Sequence, residues 1–249
     1  MEILFRIDDF GLSPGVNRGI KHSIDFGLTK NVGIIVNLSD SLEALKFAKL
    51  KNDVCFGLHV NLVLGEPCSK TYQSSSLICP EKNIFISSGI RRKQISGGRD
   101  LFNYKETYKE VNAQLDKFID VTGKIPDYID QHAIHTSTTN EVIKRIAIER
   151  HIPYYEDLNN ENIFFHPISV ELEKKSFSQI FDSDKLSFDK VNHFIFHPGY
   201  VDIALLMSSS LTYRRLLDLK FLNSENTKRK LKEKNAVIVD FLDLANNQS

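Results

Sequence analysis

The first sixty residues alternate short apolar segments with helical patterns, and this alternation limits the chain to very few folds. Residues 2–7, 32–37 and 54–62 are apolar-rich runs of strand length. Between them, residues 16–26 and 40–51 carry apolar side chains at helical spacing. A β-α-β-α-β order predicts parallel strands with helices packed on the outside of the sheet, so the fold class is expected to be α/β.

The rest of the chain continues this pattern after one interruption. Residues 65–103 are rich in Ser, Gly, Lys and Pro, which predicts a long loop or insertion, with a substrate lid as the sharper hypothesis. Residues 158–190 show no clear pattern. The whole chain of 249 residues suits one α/β domain, 1–249. Further strands are expected at 127–131, 153–156, 192–197 and 236–240, and further helices at 104–122, 139–150, 210–221 and 224–234.

The charge balance and the cysteines narrow the possible partners. The 32 basic and 32 acidic residues cancel, so no electrostatic footprint points to nucleic acid or to an anionic membrane. No segment approaches the roughly 18 apolar residues that span a bilayer, and the N-terminus reaches two aspartates too early for a signal peptide. Three cysteines without CxxC spacing argue against a disulfide framework. We therefore expect a cytoplasmic protein with a neutral, polar substrate.

Four polar clusters fall at or near the carboxyl ends of predicted strands, the edge at which parallel α/β folds bind ligands. Each cluster alone also fits a structural role, because carboxylates cap turns and helices and a lone histidine in an apolar strand is commonly a core residue. Their common position favours one shared site. The clusters are Asp8-Asp9, His59 within GLHVNL, residues 130–135 (DQHAIH) and residues 197–202 (HPGYVD).

The residue types in these clusters suit metal-assisted hydrolysis. One aspartate and two histidines match the three-ligand pattern of catalytic zinc sites, which leaves a position for water. A second aspartate and a further histidine would act as base and acid. The side chains of Asp8 and Asp9 point in different directions on a regular strand, so one can bind a metal while the other accepts a proton. Asp130 shares a strand face with His132, as carboxylates that orient ligating imidazoles do.

Three sequence blocks resemble the YdjC-like carbohydrate (chitooligosaccharide) deacetylase family. Residues 8–20 read DDFGLSPGVNRGI, residues 57–62 read GLHVNL and are followed by GEP at 65–67, and residues 197–202 read HPGYVD. The order and spacing of the blocks match as well, and the resemblance covers nearly the whole chain. It implies an irregular (β/α) barrel of the polysaccharide-deacetylase type, and hydrolysis of an acetamide on a short N-acetylated sugar, often of the chitin type.

The resemblance also implies a role for each candidate residue. Asp9, His59 and His132 match the metal ligands, Asp8 matches the proposed base and His197 the histidine proposed as the acid. Family members are usually described with magnesium. Two imidazoles and one carboxylate suit zinc or another transition metal better, because magnesium prefers oxygen ligands, so both ions stay open. A homodimer is also suggested by the resemblance.

The sequence departs from the family pattern in a region where substrate contacts are expected. They are expected from Asn61, which shares the strand face of His59, from His135 and from Tyr200. The family's third block usually reads DSHxHxH, whereas residues 130–135 read DQHAIH. The next family histidine therefore falls on Ile134 unless His135 takes its place. This departure bears on the substrate and leaves the ligand assignment of His132 intact.

Two other functions stay compatible with the sequence. The same site could remove an acyl group from a lipid-linked sugar or another small amide, with the apolar residues 77–86 of the insertion accommodating a tail. A catalytically inactive sugar-binding or regulatory protein is the alternative of another class. Retention of all five predicted metal-binding and catalytic residues argues against that alternative, because a degenerate site would be expected to lose at least one of them.

Overall fold

The computed structural model describes residues 1–70, 75–158, 162–166 and 186–246 and has the expected α/β architecture. The strands are β1 (Glu2–Phe10), β2 (Asn31–Ile34), β3 (Cys55–Val60), β4 (Ile78–Cys79), β5 (Ile84–Phe85), β6 (Ile129–Gln131), β7 (Ile163–Phe165), β8 (Val191–Phe196) and β9 (Val237–Val239). The helices are α1 (Pro14–Phe26), α2 (Ser41–Leu50), α3 (Ser88–Ser96), α4 (Tyr104–Thr122), α5 (Ser137–Glu149), α6 (Tyr155–Leu158), α7 (Ile203–Ser208), α8 (Tyr213–Leu222), α9 (Glu225–Glu233) and α10 (Phe241–Asn246).

A parallel sheet forms the centre of the molecule, in the strand order β6-β3-β2-β1-β8-β7. All of its pairings run parallel, and β9 joins it by pairing with the first residues of β1. Within the described ranges the two outer strands, β6 and β7, do not pair with each other. The sheet is therefore an open part of a barrel, and the α/β barrel-type prediction is confirmed.

Strand β1 is the axis of the fold because it is buried along nearly its whole length. Every residue after Glu2 is buried, as expected for a parallel strand covered on both faces. The ring of Phe5 packs edge-on against Phe194, Phe196 and Phe221, at centroid distances of 5.4 to 6.0 Å. These aromatic contacts fix β1 against β8 and α8, and so fix the position of the residues that follow at its carboxyl end.

Helix α1 begins immediately after that carboxyl end, and local sequence signals set its bounds. The side chain of Ser13 accepts a hydrogen bond from the backbone N–H of Val16, and Pro14 occupies the first turn. The helix ends at Gly27, whose φ of 91° lies in the left-handed region. The loop after Asp9 is therefore short, and α1 runs back along the outside of the sheet.

The segment 65–103, expected to be a long loop or an insertion, contains secondary structure in its described part. Strands β4 and β5 pair as a small antiparallel sheet, and α3 follows them. Glu110 of α4 accepts hydrogen bonds from the backbone N–H groups of Cys68 and Ser69, at 2.9 and 2.8 Å. Residues 71–74 lie outside the described ranges. The apolar residues Leu77, Ile78 and Phe85 of the segment 65–103 are buried in the main core. These three residues therefore present no surface for a lipid tail.

Two of the weaker sequence expectations also differ from the structure. The strand expected at 153–156 is wrong, because only Tyr154 bridges to Ile129 and helix α6 starts at the next residue. Within 158–190, where no pattern was found, residues 163–165 form β7, and most of the remainder lies outside the described ranges. Helix α7, with only six residues, was missed because it is too short to show a period.

Two observations bear on the cellular context expected from the sequence. Cys55, Cys68 and Cys79 are free thiols. Among the described helices, none combines the length and the apolar character that crossing a bilayer requires. Burial raises the pKa of the Cys55 thiol to about 12 and that of the Cys68 thiol to about 11, so both stay protonated at neutral pH.

The tight contact between Gly57 and Tyr128 yields a test of the packing. A Cβ atom built on Gly57 of β3 would lie 2.3 Å from the buried ring of Tyr128. We expect Gly57→Ala to lower the free energy of unfolding by about 1–3 kcal/mol, because the core cannot accept the added methyl without strain. Gly89→Ala is the matched control, since a Cβ there meets nothing within 4 Å. Equal urea midpoints for the two variants would contradict this packing.

Candidate metal centre

The carboxyl edge of the sheet brings the predicted polar clusters together. Asp8 and Asp9 lie near the end of β1, His59 lies in β3 and His132 follows β6 directly. His197 follows the last residue of β8. Four separate parts of the sequence thus converge on one edge, as parallel strands require.

A bulge in β1 allows both adjacent aspartates to reach this cluster. In the pairing of β1 with β2, Ile7 lies opposite Val32 and Phe10 lies opposite Ile34. Between these two pairs β1 therefore has one residue more than β2. Asp9 lies in this bulge and has a φ of 75°, in the left-handed region. Asp tolerates this conformation better than most residues, but it still costs about 1–3 kcal/mol and such strain concentrates at functional sites.

Three side-chain atoms close on a common point within the site. Oδ1 of Asp9 lies 2.9 Å from Nδ1 of His132 and 3.5 Å from Nε2 of His59, and the two imidazole nitrogens are 3.2 Å apart. The ligands of a tetrahedral zinc ion are roughly 3.3 Å from one another, given bonds of about 2.0–2.1 Å. Oδ1 of Asp9 is buried and faces both imidazole nitrogens, but no well-directed hydrogen bond satisfies it among the described residues. This donor set fits a divalent metal ion.

The orientation of His59 is set by a carboxylate behind it. Nδ1 of His59 lies 3.0 Å from both carboxylate oxygens of Asp130, which leaves Nε2 to face Asp9 and His132. Burial alone would lower the pKa of His59, but the nearby carboxylates of Asp130 and Asp8 raise it well above its usual value. The predicted supporting role of Asp130 agrees with this geometry, although its partner is His59 and not His132.

Two buried arginines that sequence reasoning missed neutralise the aspartates. Nη2 of Arg6 lies 2.6 Å from Oδ2 of Asp8, and Nη2 of Arg215 lies 2.6 Å from Oδ2 of Asp9. Burial would raise the pKa of each carboxyl, but neighbouring positive charges outweigh this effect. The pKa of Asp8 is lowered mainly by Arg6. The pKa of Asp9 is lowered mainly by His132 and then by Arg215. Arg6 could have been found, because residues two apart share a strand face. Arg215 is 206 residues from Asp9, and no sequence period links them.

His197 lies beside Asp8, and its backbone is bound by a residue of α8. Its Nε2 is 4.0 Å from Oδ2 of Asp8, and its backbone N–H donates a 2.9 Å hydrogen bond to Asp218 of α8. Burial lowers the pKa of His197, so its protonated form is a stronger acid than a free imidazolium. Helix α8 therefore supports the site twice, through Asp218 and through Arg215.

The residues expected to contact a substrate are less central. Asn61 is fully buried; its amide donates to Asn37 and to the backbone oxygen of Leu64, and its oxygen accepts from the N–H groups of Val63 and Leu64. Both donor and both acceptor positions of its side-chain amide are therefore used, one by Asn37 after β2 and three by the turn after β3. This does not support the expected substrate contact, and Asn61 instead shapes the chain beside His59.

Tyr200 and His135 lie at the margins. The hydroxyl of Tyr200 is 3.0 Å from Nδ1 of His22, in the third turn of α1, so its ring follows the helix away from the strand ends. The ring of His135 is half-exposed and 3.7 Å from Glu156. Burial lowers the pKa of His135, and this pKa is also influenced by the charges of Asp130 and His59. Of the three expected contacts, His135 is therefore the one that combines an exposed ring with proximity to the charges of the site, and its contact with a substrate stays a prediction.

Comparison with known proteins adds the family to this geometry. The family model described as YdjC-like protein matches residues 2–233. The chain belongs to the YdjC-like family. A carbohydrate deacetylase of Clostridium beijerinckii is 26% identical over 98% of this chain and 100% of its own length. A chitooligosaccharide deacetylase of Proteus mirabilis is 23% identical over 97% of this chain and 98% of its own. The predictions of family and of an enzyme of the carbohydrate-deacetylase class, a hydrolase of C–N amide bonds, are confirmed.

Solved structures agree on the fold. A proposed cellobiose-phosphate cleavage protein of Enterococcus faecalis V583 superposes with a TM-score of 0.80, at 21% identity and over 98% of both chains. A peptidoglycan N-acetylglucosamine deacetylase superposes with a TM-score of 0.53, at 13% identity, over 98% of this chain and 87% of its own. At these identities the likeness establishes the architecture, which is that expected from the sequence.

The contact between Asp130 and His59 can be tested through metal affinity. We expect Asp130→Asn to weaken zinc binding by about 10–100-fold, because the imidazole loses the carboxylate that fixes its orientation and basicity. Competition with a chromophoric chelator measures the change. Asp120→Asn, which alters an exposed carboxylate of α4, is the control. Unchanged affinity in a folded Asp130→Asn protein would contradict the role assigned to Asp130.

Proposed function

We propose that this protein hydrolyses the acetamide of an N-acetylated sugar or short chitin-type oligosaccharide, using one divalent metal ion held by Asp9, His59 and His132. The observation that carries the proposal is the convergence of Oδ1 of Asp9, Nε2 of His59 and Nδ1 of His132 within 4.8 Å of one another. The names of the full-length relatives, carbohydrate deacetylase and chitooligosaccharide deacetylase, support the choice of substrate class.

The donor set bears on the identity of the metal. Two imidazole nitrogens and one carboxylate oxygen suit zinc or another late transition metal, whereas magnesium favours oxygen ligands and retains several waters. Magnesium stays in the proposal through the family resemblance, and zinc is favoured by the ligands. When bound, such an ion polarises the acetyl carbonyl and makes water more acidic.

Asp8 and His197 supply the proton transfers in this proposal. Oδ2 of Asp8 is held by Arg6, while its Oδ1 is buried and has no hydrogen-bond partner among the described residues. That free oxygen takes the proton of the attacking water. His197, beside Asp8, protonates the nitrogen as the C–N bond breaks, so that acetate and the free amine of the sugar leave.

Other features fit the same setting. The balanced charge suits a neutral sugar and gives no reason to expect nucleic acid or a membrane as partner. Free cysteines are typical of a reducing compartment, and we place the protein in the cytoplasm. We also regard the chain as one catalytic domain, because strands from residues 2 to 239 join a single sheet. The lipid-linked alternative loses part of its support, since Leu77, Ile78 and Phe85 of the insertion are buried.

The first experiment removes the metal, adds back zinc, magnesium, cobalt or nothing, and measures acetate released from di-N-acetylchitobiose. We expect release only with metal, and we expect Asp8→Asn to keep the metal but lose about 10²–10⁴-fold in kcat. A protein that retains one ion but releases no acetate would discard this substrate, and a lipid-linked N-acetyl sugar would be assayed next. A protein with neither metal nor activity would favour the inactive sugar-binding alternative.

We also propose a homodimer that forms through α7 and α8. Helix α8 turns Arg215 and Asp218 inward and leaves apolar side chains outside, and α7 exposes a similar face. The six side chains are 38% to 85% exposed, so they present roughly 800 Å², about what one partner contributes to a standard interface. A largely apolar patch of this kind is complementary to its own copy, with the exposed Lys220 on the same face of α8. The residues are Ile203, Leu206, Met207, Tyr213, Leu216 and Leu217.

Sedimentation equilibrium tests this interface. We expect the unaltered protein to be a dimer and Met207→Asp to be a monomer, because a carboxylate in an apolar contact must be desolvated without a partner. Leu50→Asp serves as the control, since Leu50 is similarly exposed but lies on α2. A protein that is monomeric throughout, or a dimer that only Leu50→Asp disrupts, would rule out this surface.

A further inference from the structure

The buried part of the site contains a second group of potential metal ligands. One nitrogen or oxygen atom from each of Asp8, His59 and Asp130 lies within 4.8 Å of the others, and all three residues are buried. This group shares His59 with the group formed by Asp9, His59 and His132. Two carboxylates and one imidazole are a suitable donor set for a divalent ion, and paired metal sites in hydrolases commonly lie about 3.5–4 Å apart. By donor chemistry alone, the centre could therefore hold two ions.

Arg6 places a positive charge in this second group. Its Nη2 lies 2.6 Å from Oδ2 of Asp8, and its Nη1 lies 3.2 Å from Oδ2 of Asp130. The planar fork of the guanidinium therefore binds both carboxylates at once. The group is enclosed as well, because the Cζ atom of Arg6 sits 4.1 Å from the centre of the Tyr155 ring and Arg6 is only 6% exposed. An ion entering the second group would have to displace this guanidinium or share its carboxylates.

The contacts of His59 point the same way. Its Nδ1 faces the carboxylate of Asp130, and its Nε2 faces Asp9. An ion bound by Asp8 and Asp130 would need Nδ1 of His59, the nitrogen whose bond to Asp130 orients the ring. Arg6 satisfies Asp8 and Asp130 without using His59. The imidazole therefore stays available to the first group alone.

We propose that Arg6 is a built-in cation that takes the place of a second metal ion and keeps the centre mononuclear. The inference rests on the proposed metal group of Asp9, His59 and His132. In this role Arg6 is a positioning residue: it neutralises Asp8 and Asp130 without occupying Oδ1 of Asp8, the oxygen that accepts the proton. A guanidinium is suited to the task because it stays charged when buried and cannot exchange with the metal pool of the cell.

Metal stoichiometry measures this role directly, without any assay of activity. Metal-free protein is dialysed against zinc and analysed for bound metal, and manganese loading is followed by electron paramagnetic resonance. We expect one ion per chain in the unaltered protein and two in Arg6→Ala, with an exchange-coupled manganese signal in the variant alone. Arg6→Lys is expected to stay at one ion, because it keeps the positive charge. Arg229→Ala removes an exposed arginine of α9 and is the matched control.

The outcomes separate this inference from the proposed function. Two ions in the unaltered protein, or one ion in a folded Arg6→Ala chain, would overturn the role of Arg6 and leave the first group intact. No bound metal in the unaltered protein would instead remove the proposed metal centre. Arg6→Gln is measured in parallel, because an amide fills much of the vacated space and hydrogen-bonds to one carboxylate while carrying no charge. It is expected to bind two ions, so failure of Arg6→Ala to fold does not remove the test.

Discussion

Two neighbouring carboxylates on one strand can serve one site only if the strand breaks its alternation, and β1 does so at Asp9. Without the extra residue opposite β2, Asp8 and Asp9 would point to opposite faces of the sheet. The left-handed backbone of Asp9 is unfavourable on its own. It is held by the aromatic packing of Phe5 and by the pairing of β1 with three other strands. The rigidity of the core thus maintains the irregularity of the site.

Two buried arginines counter the negative charge of the site, Arg6 from β1 itself and Arg215 from α8. Asp8 and Asp130 share Arg6, and Asp9 is matched by Arg215 from α8. Buried carboxylates without such partners would be strongly destabilising. In Asp8 and Asp9, one carboxylate oxygen is bound by an arginine, whereas the other is turned away from it, toward the imidazoles in the case of Asp9. In each of these two carboxylates, one oxygen therefore binds the neutralising arginine and the other remains available to a ligand or a proton.

Much of this site could be predicted from the sequence, because its ligands follow apolar runs whose strand character is local. The parallel sheet, the edge at which ligands bind, and the meeting of the four polar clusters follow from that pattern, whereas the choice of Asp9, His59 and His132 within them comes from the family resemblance. The bulge in β1 could not be predicted from the sequence, because the register of β1 depends on its pairing with β2. Arg215 and Asp218 share the buried face of α8 with Leu219 and Leu222, and charged residues on a buried face run against the usual rule that apolar residues mark it. Asn61 shared a face with His59, but its hydrogen bonds depend on the turn that follows it.

The long reach of the Asp9–Arg215 pair has a consequence for how the protein is made. Synthesis proceeds from the N-terminus, and the three candidate ligands are complete once residue 132 has left the ribosome. The guanidinium that opposes Asp9 emerges more than eighty residues later. Until then the strained end of β1 carries a carboxylate without its final counter-charge. A chain interrupted before α8 therefore lacks the guanidinium that neutralises Asp9 and the Asp218 carboxylate that binds the backbone of His197.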